Sequence, residues 1–114
     1  MAISDRELQR TWEARVQRGQ FSRNVLGVGS IRVMGKAGDA PVAFPRIASL
    51  DLLPSLEPDE QWAVSQAEAI VQQAQCEGRT VFDASTGRVE GARRVSAFDP
   101  SAETLMVVAR IAGG

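Results

Sequence analysis

The chain has 114 residues, 44% of them hydrophobic and 24% charged, with 13 basic against 14 acidic side chains, one cysteine and no histidine. That is material for one small core; the net charge of -1 lacks the basic footprint of a nonspecific nucleic-acid binder, and without histidine no Ser-His-Asp triad, Cys-His pair or His-bearing metal site can be built. The lone Cys76 leaves neither a disulfide framework nor a thiolate-rich zinc site, which points to a reducing, cytoplasmic setting.

The first residues, Met1 to Arg10, are polar and carry Asp5, Arg6, Glu7 and Arg10, so they lack the apolar centre of a signal peptide. No apolar run approaches the ~18 residues of a membrane span. Ser4 to Arg18 reads as a helix, with Ser4 as N-cap, Glu7 closing a capping box and Gly19 as the stop. Its apolar stripe is thin: Leu8, Trp12 and Val16 recur at i, i+4 and i+8, enough to bury one narrow edge on its own domain or on a partner. The expected organisation is this helix over residues 1–20 and a single α+β domain over residues 21–114.

From Val25 to Met34 the pattern turns to period two, and its β-branched residues and glycines predict a strand with a bulge at Gly27 or Gly29. Gly35 to Asp39 reads as a turn and Pro41 to Ile47 as a returning strand. Pro41 and Pro45 have no N–H to give to a ladder, so that strand is expected to lie at an edge or to be irregular. Ala48 to Glu57 is a leucine-rich connector expected to plug one end of the core. Pro58 to Glu77 is the main helix: Pro58 suits its first position, Asp59 and Glu60 complement the dipole, and Gly78 ends it. Ala63, Val64, Ala67, Ile70, Val71 and Ala74 form its apolar face.

Beyond Gly78 the pattern is again extended. Arg79 to Ala84 is a strand, Ser85 to Arg88 a turn, Asp99-Pro100-Ser101 a second turn, and Thr104 to Ile111 a continuous strand, apolar on both sides. Strands before and after one long helix make an α+β fold, a small mixed sheet with one main helix.

Several motifs fail on inspection. The glycines around Gly35-Lys36 do not form a phosphate loop, because Ser30 and Ala37 stand where a glycine and a hydroxyl are required, and Arg32 breaks the dinucleotide pattern. Cys76 sits near a helix C-terminus, which disfavours a thiolate. Arg93-Arg94, with Arg79 and Arg88, reads as a solvated basic face. Asp83, Glu90, Asp99 and Glu103 have no spacing that would place two carboxylates around a substrate. No catalytic constellation, metal site or cofactor site emerges, so the chain reads as a non-enzyme.

Gly113-Gly114 is different, because two residues without side chains can thread a narrow channel and present a terminal carboxylate where any Cβ would clash. Together with Glu103-Thr104-Leu105, Val107-Val108 and Arg110, this stretch from Arg79 to Gly114 resembles the C-terminal half of ubiquitin. The preceding hairpin and helix follow the β-grasp order of ubiquitin and of the bacterial sulfur carriers of molybdopterin and thiamine synthesis. The sequence departs from the minimal family in its N-terminal helix, in its leucine-rich connector and in Ala112, which stands where ubiquitin has arginine. The resemblance implies a β-grasp-like carrier or protein modifier. Its reactive tail would be Gly113 and Gly114, and Leu105, Val107, Arg110 and Ile111 would dock an E1-like activating partner. The rival expectation is a structural subunit that docks an assembly partner through Leu8 and Trp12, the terminal glycines being incidental.

Overall fold

The computed structural model describes residues 4–33, 41–84 and 93–108. In chain order these form helix α1 (Asp5–Arg18), strands β1 (Gly27–Val33) and β2 (Val42–Arg46), a 3-10 turn (Leu50–Ser55), helix α2 (Pro58–Cys76), and strands β3 (Thr80–Asp83), β4 (Arg93–Val95) and β5 (Thr104–Val108). The expected turns at Gly35–Asp39 and Ser85–Arg88 lie outside the described residues, as do Ala109 to Gly114.

The sheet runs β2-β1-β5-β3-β4. β1 and β2 pair antiparallel, β5 lies parallel to β1, and β3 is antiparallel to both β5 and β4. A hairpin, a crossing helix and a last strand inserted beside the first give the expected α+β, β-grasp-like mixed sheet, with α1 added to it. Of the two courses expected, β2 takes the first: it is an edge strand, and Pro45 in it has no N–H to be left unpaired.

The expected bulge is absent. Gly27 to Ile31 pair without interruption with Arg46 back to Val42. The glycines serve close approach and backbone conformation instead. A Cβ on Gly29 would lie 2.5 Å from Phe44 Cζ and 2.6 Å from the Ala102 carbonyl oxygen, and Gly27 has φ 153°, where side chains are disfavoured.

Both helices begin and end on signals present in the sequence. Ser4 Oγ accepts the Glu7 N–H, and Gly19, at φ 66°, returns its N–H to the carbonyls of Arg15 and Val16. In α2, Pro58 occupies the first turn and Gly78, at φ 77°, follows the end. Ala63, Val64, Ala67, Val71 and Ala74 are buried, with Ile70 partly buried against the same core. The alanines let α2 lie close to the sheet, where it meets Ile31, Phe44, Val81, Leu105 and Val107. Each fully buried Val, Leu, Ile or Phe contributes about 1.5–3 kcal/mol. The leucine-rich connector meets its expectation in part: Leu56 is buried and Leu53 packs on the core, while Leu50 is exposed.

Candidate functional site

The register of the sheet sorts side chains into two rows with opposite characters. On the face toward α2, Val33, Val107, Val81 and Val95 lie side by side across β1, β5, β3 and β4. Val81 and Val107 are fully buried, and Val33 and Val95 pack against the same core. One residue along each strand, on the opposite face, stand Arg32, Met106, Phe82 and Arg94. Arg32 and Arg94 are exposed, and Met106 and Phe82 are half-buried. Neighbours in such a row have Cβ atoms about 5 Å apart, so an apolar pair is flanked at both ends by guanidinium groups. This face is suited to a partner surface with an apolar centre and carboxylates at its margins.

That arrangement corrects the expected docking surface. Leu105 and Val107 are 0% and 1% exposed and belong to the core. A strand alternates its side chains between faces, so the residues of β5 open to a partner are Thr104, Met106 and Val108. The strand that is apolar on both sides is thus fully covered on one only. Arg110, Ile111, Gly113 and Gly114 lie outside the described residues.

The expected helix anchor is also used within the chain. Trp12 is 3% exposed, its ring lies 5.9 Å from that of Phe21, and its Nε1–H donates to the Ala43 carbonyl at 3.1 Å. It is therefore not a free contact for an assembly partner; Leu8 beside it is half-buried. The indole covers a backbone acceptor of the edge strand, which is one way a sheet edge is closed to further strands.

Below Trp12 a polar cluster joins α1 to the start of α2. Arg15 donates from Nε and Nη2 to the two carboxylate oxygens of Asp59, at 2.8 and 3.0 Å. Asp59 is almost wholly buried and Glu60 is fully buried. Glu60 accepts from the Ser22 hydroxyl, from the Ser22 N–H at 2.9 Å and from the Glu57 N–H at 3.0 Å. Buried carboxylates are tolerable when they are saturated in this way. The Arg15 guanidinium is held above its ordinary pKa, chiefly by its hydrogen bonds to Asp59, against a smaller opposing effect of burial. The sequence reading assigned Asp59 and Glu60 only the part of complementing the helix dipole in the first turn. The spacing of Glu57 and Glu60 signals the local hydrogen bond, but nothing in it signals Ser22 or Arg15.

Cys76 is an exposed free thiol at the end of α2. Among the described residues no group of three His, Cys, Asp or Glu could hold a metal ion, and no helix is long and apolar enough to cross a membrane. Arg93 and Arg94 are both exposed on β4, but as neighbours on a strand they stand on opposite faces of the sheet, so they do not form the one basic face expected.

Comparison with known proteins adds no relative: no protein-family model matches the chain, and no curated protein or solved structure matches it.

Proposed function

We propose that this chain is a non-enzymatic, ubiquitin-like carrier or protein modifier that presents the Gly114 carboxylate to an E1-like activating partner in the cytoplasm. The observation that supports this reading best is the place of β5. It is the central strand of the sheet, paired with β1 on one side and β3 on the other, and the sequence runs from its end through Arg110 to Gly113-Gly114. A strand held on both sides gives a tail a rigid base, and the two glycines suit a narrow channel.

The chemistry is the partner's. A Gly114 carboxylate oxygen attacks the α-phosphorus of ATP, the bond to the β-phosphate oxygen breaks and pyrophosphate leaves. A thiol or amine then attacks the acyl carbon and AMP departs, or a persulfide does so and a second thiol of the partner cleaves the new S–S bond, forming a disulfide and leaving Gly114 as a thiocarboxylate. The chain supplies the carboxylate and a docking face, which matches a composition without histidine. Docking falls to Arg32, Met106, Phe82 and Arg94, with Arg110 nearer the tail, in place of the buried Leu105 and Val107. The test is ATP-dependent activation by an adenylating enzyme from the source cells. Deleting Gly114 is expected to abolish it, and Arg32→Glu with Arg94→Glu to lower kcat/KM by about tenfold or more; undiminished activation of the truncated chain refutes the proposal.

A further inference from the structure

The sheet face opposite α2 carries one sign of charge. Arg32 and Arg94 are exposed at the two ends of the row that crosses β1, β5, β3 and β4, and Met106 and Phe82 stand half-buried between them. The other described strand residues of that face on β1, β5 and β3, namely Val28, Ser30, Thr104, Val108 and Thr80, are uncharged. Among the described residues neither guanidinium has an ion-pair partner; the arginines that do are Arg15, Arg46 and Arg79. Two cations therefore flank an apolar strip of Phe82, Met106 and Val108, and no described strand residue of the face is acidic.

The width of the strip selects among occupants. Three strand spacings separate Arg32 from Arg94, about 14 Å. An α-helix with its side chains is about 10–12 Å across, so one laid along β5 and β3 covers the strip and leaves a guanidinium on each flank. An extended segment is about one strand spacing wide, ~4.8 Å, and would reach one arginine at a time. A second copy of this face would bring arginine against arginine.

We infer that this face docks an acidic amphipathic helix of a partner protein, whose carboxylates straddle its apolar line. The spacing follows from helix geometry. In the pattern apolar-Glu-x-Glu-apolar the two apolar side chains form the line, and the glutamates, about 200° apart around the axis, fall about 80° to either side of it. Each carboxylate then meets one guanidinium, a group suited to bidentate pairing. The inference rests on the docking role proposed for this face and names the element it takes; it uses none of the Gly114 chemistry.

The probe is an acetylated and amidated alanine-rich helical peptide of about 18 residues with Leu-Glu-Gln-Glu-Leu at its centre. An isomer of the same composition has its two glutamates exchanged with glutamines on the side of the helix away from the leucines. Titration into the ¹⁵N-labelled chain without ATP, followed by NMR, is expected to give saturable shifts at the amides of Met106 and Phe82. The isomer should bind about fivefold more weakly, and Arg32→Gln and Arg94→Gln, both at exposed positions, should each weaken the first peptide about two- to fivefold. Deleting Gly114 should leave binding unchanged, so failed activation of a chain that binds the peptide refutes the carrier reading alone, and activation without peptide binding refutes this inference alone. Absence of a shift at millimolar peptide overturns the inference, as does equal binding of the isomer. Tighter binding of an oligothymidylate at the same residues also overturns it, since the partner would then be a nucleic acid.

Discussion

Trp12 of the N-terminal helix donates its indole N–H to the carbonyl of Ala43, 31 residues away on the edge strand of the sheet. The contact fastens an otherwise polar helix: Trp12 is the buried residue of α1. Trp12→Ala removes the ring and leaves a cavity beside Phe21, and is expected to cost about 3–5 kcal/mol. Trp12→Phe keeps most of the ring but loses the donor, and should cost less. Urea unfolding checks both, through a lower midpoint at nearly constant slope.

The Arg15–Asp59 pair predicts a larger effect than an exposed ion pair would. Arg15 is partly exposed, but Asp59 is buried, so Arg15→Met strands a carboxylate away from water. A loss of about 2–4 kcal/mol is expected, with partial recovery in Arg15→Met combined with Asp59→Asn. The folded-state pKa of Arg15 lies above its unfolded value, so its stabilisation is complete below the unfolded pKa and fades only as pH rises through the folded one. The difference between wild type and Arg15→Met attributable to this shift should therefore stay level from neutral to mildly alkaline pH.

Gly29→Ala tests the close approach of β1 to its neighbours. The new Cβ would meet Phe44 and the Ala102 carbonyl at distances no carbon contact sustains. The Ala102 atom is backbone and cannot rotate away, so a loss of about 1–3 kcal/mol is expected in thermal or urea unfolding.

Cys76 should react with a thiol reagent in the folded protein, without denaturant, because it is exposed. Cys76→Ser should change stability by less than about 0.5 kcal/mol and leave ATP-dependent activation of the chain unchanged. Loss of activation in that variant would give the thiol a role that the account denies it.

Local signals carried much of the fold. Pro41 and Pro45 limited β2 to an edge or an irregular course, Pro58 and Gly78 bounded α2, and Ser4 and Gly19 bounded α1, because each is a statement about one backbone N–H or one φ angle. What depended on pairing between distant segments was not legible. The parity of β5 is set by its register with Ile31 and Val81, so an apolar run in one dimension hid the division between buried Leu105 and Val107 and open Met106 and Val108. The same holds for Glu60, whose partner Ser22 is 38 residues away, and for the row from Arg32 to Arg94, which exists only once four strands are aligned. The candidate tail was readable because it needs no fold, whereas the face proposed for docking became visible only in the sheet.

The central claim is that the Gly114 carboxyl is the reacting group. Tandem mass spectrometry of the C-terminal peptide, from protein isolated out of its own cells, tests this most directly. The account predicts a fraction in which the Gly114 carboxyl is a thiocarboxylate, an adenylate or an amide to another protein. A free carboxylate alone, under conditions where the activating partner is present and ATP is abundant, would contradict it.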